Sequence, residues 1–178
     1  MKQILLCVLA TSLLAACDNK KETAEVAGAT KEEKPAVALP YTASYSSSFD
    51  IGDPAHSATI LQGSWKDWEA NKLNMKSWIA DTIVAYHSDN TIIRGADSLV
   101  AAWTKNRARY TSVIDTINAV VPLYSTDKKE NWVLVWAKEI NTKTDGSKDT
   151  AYIMETWRMN KDGKADLLLQ FDRARRKN

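Results

Sequence analysis

Four runs of alternating apolar and polar residues constrain this chain more than anything else in it. They are Val113–Tyr124, Trp132–Asn141, Thr150–Asn160 and Ala165–Arg173. A period of two belongs to a strand with one buried face. The runs are separated by Ser125–Asn131, by Thr144-Asp145-Gly146-Ser147 and by Lys161-Asp162-Gly163. Asp-Gly supplies backbone that turns tightly, so the last two connections predict β-hairpins. Four strands joined in this way form an antiparallel meander, and its apolar face needs a cover.

The cover lies upstream. Ile60, Leu61, Trp65 and Trp68 recur at helical spacing and predict a helix over Ser57–Lys72. Met75 and Ile79, four apart, predict a short second helix over Leu73–Ile79. A strand at Ile83–His87 turns through Ser88-Asp89-Asn90 into a brief return strand at Ile92-Ile93. Gly95 breaks that strand, and Asp97 can N-cap a third helix running to Tyr110, with Leu99, Trp103 and Tyr110 on one stripe. Three N-terminal helices packed on an antiparallel sheet read as α+β. The predicted domain, 49–178, is long enough for one core. Arg107 and Arg109 on the third helix read as surface charges, and Glu139 as pocket or exterior.

The first sixteen residues are of another kind. Lys2 precedes an apolar stretch, Ile4–Leu14, too short for a bilayer span, which needs about 20 residues. It has the length of a cleaved secretion signal. Leu14-Ala15-Ala16-Cys17 matches a bacterial lipobox, so Cys17 is the expected first residue of the mature chain and the lipidation site. Cys7, the other cysteine, leaves with the signal, and the domain keeps no thiol. Residues 17–48 read as the lipidated Cys17 and a flexible tether, rich in Lys, Glu, Ala and Thr, though Tyr41, Tyr45 and Phe49 suit packing onto the domain. The expected location is the bacterial cell envelope, held to a membrane by lipid on Cys17, with inner and outer membrane both open. Lys and Arg number 24 against 22 Asp and Glu, and loss of Lys2 brings the balance to +1, which argues against nucleic acid as a partner.

Three segments carry a resemblance. Trp78-Ile79-Ala80-Asp81-Thr82-Ile83-Val84 resembles a helix-to-strand segment, and Ile93-Arg94-Gly95-Ala96-Asp97-Ser98-Leu99 a helix entry. Thr156-Trp157-Arg158-Met159-Asn160-Lys161-Asp162-Gly163-Lys164 resembles a hairpin. All three, in this order, resemble the NTF2-like superfamily and its SnoaL-like branch of polyketide cyclases and ketosteroid isomerases. The resemblance implies a curved sheet and helices forming a cone with a pocket. It would place Trp65, Trp68, Trp78, Trp103, Trp136 and Trp157 in or around that pocket. It also implies His87 at the isomerases' general-base position, and Glu155 at the position of an acid that donates to an enolate oxygen. Glu155 alternates with Ile153, Trp157 and Met159, so its strand face should point inward. The sequence departs from the isomerases in having no tyrosine in Leu61-Gln62-Gly63-Ser64-Trp65 and a histidine in place of the aspartate base.

No phosphate loop, nucleophile elbow or dinucleotide fingerprint is present, so no cofactor is expected. Two histidines and no cysteine in the domain argue against a zinc site. Three functions stay open. The first is a pocket for a small, largely apolar molecule. The second is a cyclase-, isomerase- or hydrolase-like enzyme using His87 and Glu155. The third is an interaction module that forms a homodimer through the outer sheet face, where Tyr152, Met154 and Thr156 would lie.

Overall fold

A computed structural model describes residues 40–174. The signal segment, Cys17 and the tether up to residue 39 lie outside the described residues, as do Arg175, Arg176 and Lys177. Among the described residues seven strands form one sheet in the order β1-β4-β5-β6-β7-β2-β3. They are β1 (Phe49–Ile51), β2 (Ile79–Tyr86), β3 (Ile92–Arg94), β4 (Tyr110–Ser125), β5 (Glu130–Lys143), β6 (Lys148–Met159) and β7 (Ala165–Ala174). The meander β4–β7 is antiparallel throughout, as its hairpin signals require. A register shift between Ile117 and Ala119 puts an extra residue in β4. Such a bulge bends a strand and increases its twist, which suits a sheet that curves without closing.

Two expectations need correction. Among the described residues there are two helices, not three. The first spans residues 54–69, α-helical over Pro54–Ile60, wider π-helix over Leu61–Lys66, and α-helical again over Asp67–Glu69. The second is Ala96–Arg107. Between them, Leu73–Ile79 holds only a 3-10 turn at Met75–Ser77. Seven residues cannot offset the cost of nucleating a helix. Asn71, at φ 56°, has already ended the first helix, and Ile79 pairs with Ala165 as the first residue of β2. The four-residue spacing of Met75 and Ile79 marks two buried anchors on either side of a turn. The sheet is also mixed, because β2 runs parallel to β7. β3 returns antiparallel to β2, and the second helix then carries the chain back to β4.

Parity decides what faces inward. On β5, Val133, Val135 and Ala137 are buried; on β6, Ile153, Trp157 and Met159; on β7, Leu168. Both helices pack onto this face and bring Ile60, Leu99 and a set of indoles. Trp68, Trp103, Trp157 and Trp78 meet edge to face in sequence, with centroids 5.7, 6.2 and 5.4 Å apart. Such pairs contribute about 0.5–1.5 kcal/mol each beyond their area. Gly63 is required by this packing, since a Cβ there would lie 2.2 Å from Trp78 Nε1.

Arg107 corrects a further reading. It is buried, 4% exposed, and donates to the backbone carbonyls of Trp68 (2.7 Å), Tyr110 (2.8 Å) and Glu69 (3.1 Å). It thereby satisfies carbonyls at the end of the first helix that have no helical partner. Asp97 is not the N-cap; Gly95, at φ 86°, occupies that position, and Asp97 pairs with Lys76. Ahead of β1, Tyr45 donates to Glu130 and stacks edge to face on Trp132, and Ser46 donates to Asp127 at 2.6 Å, while Tyr41 is exposed.

Candidate functional site

The helices and the sheet do not fill the space between them. A half-open cavity of about 920 Å³ remains, with Trp65 and Trp68 from the first helix and Trp103 from the second on its wall. The inward parity of the strands continues past the apolar core and delivers polar groups to the same hollow: Glu139 and Asn141 on β5, Glu155 on β6, Gln170 and Asp172 on β7. His87 arrives from the tight turn after β2, where its N–H donates to Thr91 O (2.9 Å) and its carbonyl accepts from Asn90 N (3.0 Å). The π-helical turn contributes Ser64 and Trp65. Wide turns of this kind recur at functional sites.

At the floor the polar groups form a chain. Gln170 Nε2 donates to Glu155 Oε1 at 3.0 Å, and Gln170 Oε1 lies 2.9 Å from His87 Nδ1. The other carboxylate oxygen of Glu155 accepts from the Trp157 indole at 2.9 Å and from the Ser64 hydroxyl at 3.4 Å. Every donor to Glu155 is neutral and the residue is 3% exposed. Burial therefore dominates and pushes its pKa up to about 7, with the Trp157 and Gln170 donors opposing the rise. Glu139 accepts from Trp68 Nε1 (2.8 Å) and Asn141 Nδ2 (2.5 Å); burial raises its pKa against those two bonds. Asp115 sits directly opposite Glu139 across β4 and β5, with both carboxylate oxygens buried and unpartnered. Burial first, and Glu139 second, push it up to about 8. Three further buried atoms on cavity residues have no partner: Trp65 Nε1, His87 Nε2 and Asn141 Oδ1.

No family model matches the sequence, and no curated protein does. Solved structures do. An NTF2-like protein of unknown function from Exiguobacterium sp. 255-15 superposes with a TM-score of 0.53 at 18% identity, over 64% of this chain and 97% of that one. The domain has the NTF2-like fold. An LEH-like epoxide hydrolase from Mycobacterium tuberculosis matches at TM-score 0.55 and 10% identity, over 67% of this chain and 84% of that one. A second Mycobacterium tuberculosis protein, solved in complex with estradiol-17beta-hemisuccinate, matches at 0.52 and 15%, over 65% and 92%.

Within this NTF2-like frame His87 and Glu155 reach one cavity but do not touch, and Gln170 stands between them. Of the six tryptophans expected in the pocket, Trp65, Trp68 and Trp103 line it. Trp78 and Trp157 are core beneath it. Trp136 is misplaced: it has the opposite parity to Val135 and Ala137 and is 38% exposed on the outer face. There it lines up across the strands with Met154 and Phe171, both exposed. Sequence reasoning missed the roles of Gln170 and Asn141. Their signal was present, since both continue the buried parity of their strands. Among the described residues no group of His, Cys, Asp and Glu is placed to hold a metal, and no helix is long and apolar enough to cross a membrane.

Proposed function

We propose that this domain is a binding pocket for a small amphipathic molecule, carried by an envelope lipoprotein. The observation behind the reading is the cavity itself. Its volume, about 920 Å³, falls in the range of sites that enclose a drug-sized ligand, about 300–1,000 Å³. Indoles wall one side and a hydrogen-bonded row of polar groups the other, so the fitting molecule has an apolar body and one polar end. The largely apolar ligand expected from sequence is revised in that respect, because Glu139, Asn141, Glu155 and Gln170 all reach the wall. The similar fold that holds estradiol-17beta-hemisuccinate supports this ligand class. Native mass spectrometry of the purified chain, followed by titration with that steroid ester while tryptophan emission is read, tests it. Retained small molecule or saturable quenching, abolished by filling the hollow with Ala102→Phe, is expected. An empty protein with no saturable response to the probe defeats the reading.

A second reading, enzymatic proton transfer by His87 with Glu155 behind it, is favoured by one observation. Nδ1 of the imidazole is engaged by Gln170, which leaves Nε2 for a proton. Against a direct partnership, Glu155 is separated from His87 by a whole side chain. Epoxide opening or double-bond isomerisation that is lost in His87→Gln would favour the enzyme.

The attachment belongs to the same proposal. The apolar segment and Leu14-Ala15-Ala16-Cys17 support a lipid on Cys17. Cys17→Ser should abolish palmitate labelling and release the chain from membranes. The exposed row of Trp136, Met154 and Phe171 supports a homodimer through the outer sheet face.

A further inference from the structure

The polar chain at the cavity floor has one freely reversible part, the amide of Gln170. Trp157 donates its indole N–H to Glu155 Oε2, and an indole can only donate. Oε2 is thus always an acceptor. Oε2 also takes the Ser64 hydroxyl at 3.4 Å, so both of its lone pairs are engaged and a proton taken up by Glu155 sits on Oε1, the oxygen that faces Gln170. The two sides of the amide are complementary, so the rest follows. With Glu155 ionised, the NH2 group faces it and the carbonyl faces His87. Nδ1 then carries the imidazole proton and Nε2 a lone pair. With Glu155 protonated, Oε1–H donates, the amide turns over, and its NH2 group faces Nδ1. Nδ1 must now accept, and the imidazole proton sits on Nε2. One proton enters in all: Glu155 gains it, while the ring exchanges Nδ1–H for Nε2–H with solvent.

We propose that Gln170 is a positioning residue that couples Glu155 to the tautomer of His87, so that the carboxyl decides whether the histidine offers the cavity an acceptor or a donor. The consequence for ligands rests on the pocket reading above. With Glu155 ionised, His87 Nε2 and Asn141 Oδ1 are two buried acceptors without a donor. They select alcohols or amines on an apolar frame over the matching ketones. With Glu155 protonated, the histidine selects the carbonyl. The surroundings keep both states within reach, since burial pushes the Glu155 pKa up to about 7. The charged groups around the chain are Glu139 on β5, Asp115 on β4, Asp172 on β7 and Asp89 in the turn after β2, with Lys143 of β5 and Lys148 and Asp149 of β6 also on the cavity wall and Arg107 acting on Glu139. The first helix presents Ser64 and Trp65, neither charged.

Ring nitrogen-15 NMR of the full chain tests the coupling without any ligand. The chain has two histidines, so His56→Gln leaves His87 as the one labelled ring. The spectra are taken near pH 9, well above the ordinary imidazole value of about 6.5. The parent should show Nδ1–H, the tautomer that a free imidazole side chain disfavours. In Glu155→Gln the new amide must turn its oxygen to Trp157 and its NH2 group to Gln170, so His87 should change over to Nε2–H. Adding Gln170→Met should erase the difference between the two backgrounds. The same tautomer in parent and Glu155→Gln, or a difference that survives Gln170→Met, overturns the proposal. If Glu155→Gln does not fold, the parent decides: Nε2–H near pH 9 refutes it. Changed tautomers with an empty, unresponsive cavity would leave the coupling standing and remove the pocket reading.

Discussion

Asp115→Asn should make the protein more stable at alkaline pH and leave it nearly unchanged near pH 4. Asp115 lies behind Trp65, in a hollow of about 120 Å³ that also touches Leu61, Lys66, Glu69 and Ile117. Lys66 is the nearby cation, but it is committed to Glu69 at 2.8 Å. Burial and the facing Glu139 hold the aspartic acid neutral up to about pH 8, against 3.8 for an ordinary one. A carboxyl with a raised folded-state pKa keeps its proton when the unfolded chain has lost it. Stability therefore falls as pH rises from about 4 to about 8, and is flat beyond. At ~1.4 kcal/mol per pH unit over about four units, the ceiling is ~6 kcal/mol. Asp115 as a residue is only half-buried, and nearby solvent screens and relaxes the penalty, so ~2–3 kcal/mol is the working figure. The neutral amide removes the titration and little else. Urea unfolding of both proteins at pH 4 and pH 9 measures the difference between the two differences, in which the other carboxyls cancel. A double difference of zero, or an asparagine variant that is weaker at pH 9, would mean that Asp115 is ionised and paired, and the argument would fail.

Gly63→Ala should destabilise by ~1–3 kcal/mol or more in the same assay, because its Cβ meets the indole of Trp78, itself wedged against Trp157. Arg107→Ala should cost ~2–3 kcal/mol by taking the donor from the Glu69 and Tyr110 carbonyls, while Trp68 O keeps the Asn71 N–H, and Arg107→Lys should recover only part of that, since a lysine cannot supply the same fork. Trp136→Ser with Phe171→Ser should shift sedimentation toward monomer and leave binding of the steroid probe intact; unchanged sedimentation removes the outer face as a dimer surface.

What was legible in the sequence follows from what is periodic. The meander was readable to within a few residues, because long strands with one buried face repeat every second position and Asp-Gly closes their hairpins. Glu155 was placed correctly for the same reason, since Ile153, Trp157 and Met159 fix its parity on the inner face. Trp136 shows how the argument fails when side-chain type outweighs parity: a tryptophan was assigned inward although Val133 and Val135 had already claimed that face. The π-helical turn was invisible. Within it Gly63 lies against the indole of Trp78, a residue fifteen positions away that only the folded chain brings close. Arg107 looked like a surface charge because its partners are backbone carbonyls, which no side-chain pattern reports. β1 was missed because a run of three exposed residues, Phe49-Asp50-Ile51, is too short for its alternation to stand out; it pairs antiparallel with Leu123–Ser125.

The unpartnered polar atoms explain why the hollow is more than a packing defect. A defect in a core is lined by apolar groups and stays dry. Here Trp65, His87 and Asn141 each bring to the cavity a buried atom with no partner, at ~1–3 kcal/mol apiece. Replacing them with leucine or valine would remove that cost without disturbing the strands, since all three positions already lie on inward faces. The chain of indoles from Trp68 to Trp78 can support such a loss, because it ties both helices to the sheet immediately beneath the site. An arrangement that keeps polar groups unsatisfied above a core strong enough to hold them is one in which a ligand, by completing those bonds, adds stability that the empty domain lacks. Thermal unfolding should therefore shift upward with the molecule that belongs there. A ligand that fills the volume but donates to neither His87 nor Asn141 should raise it less.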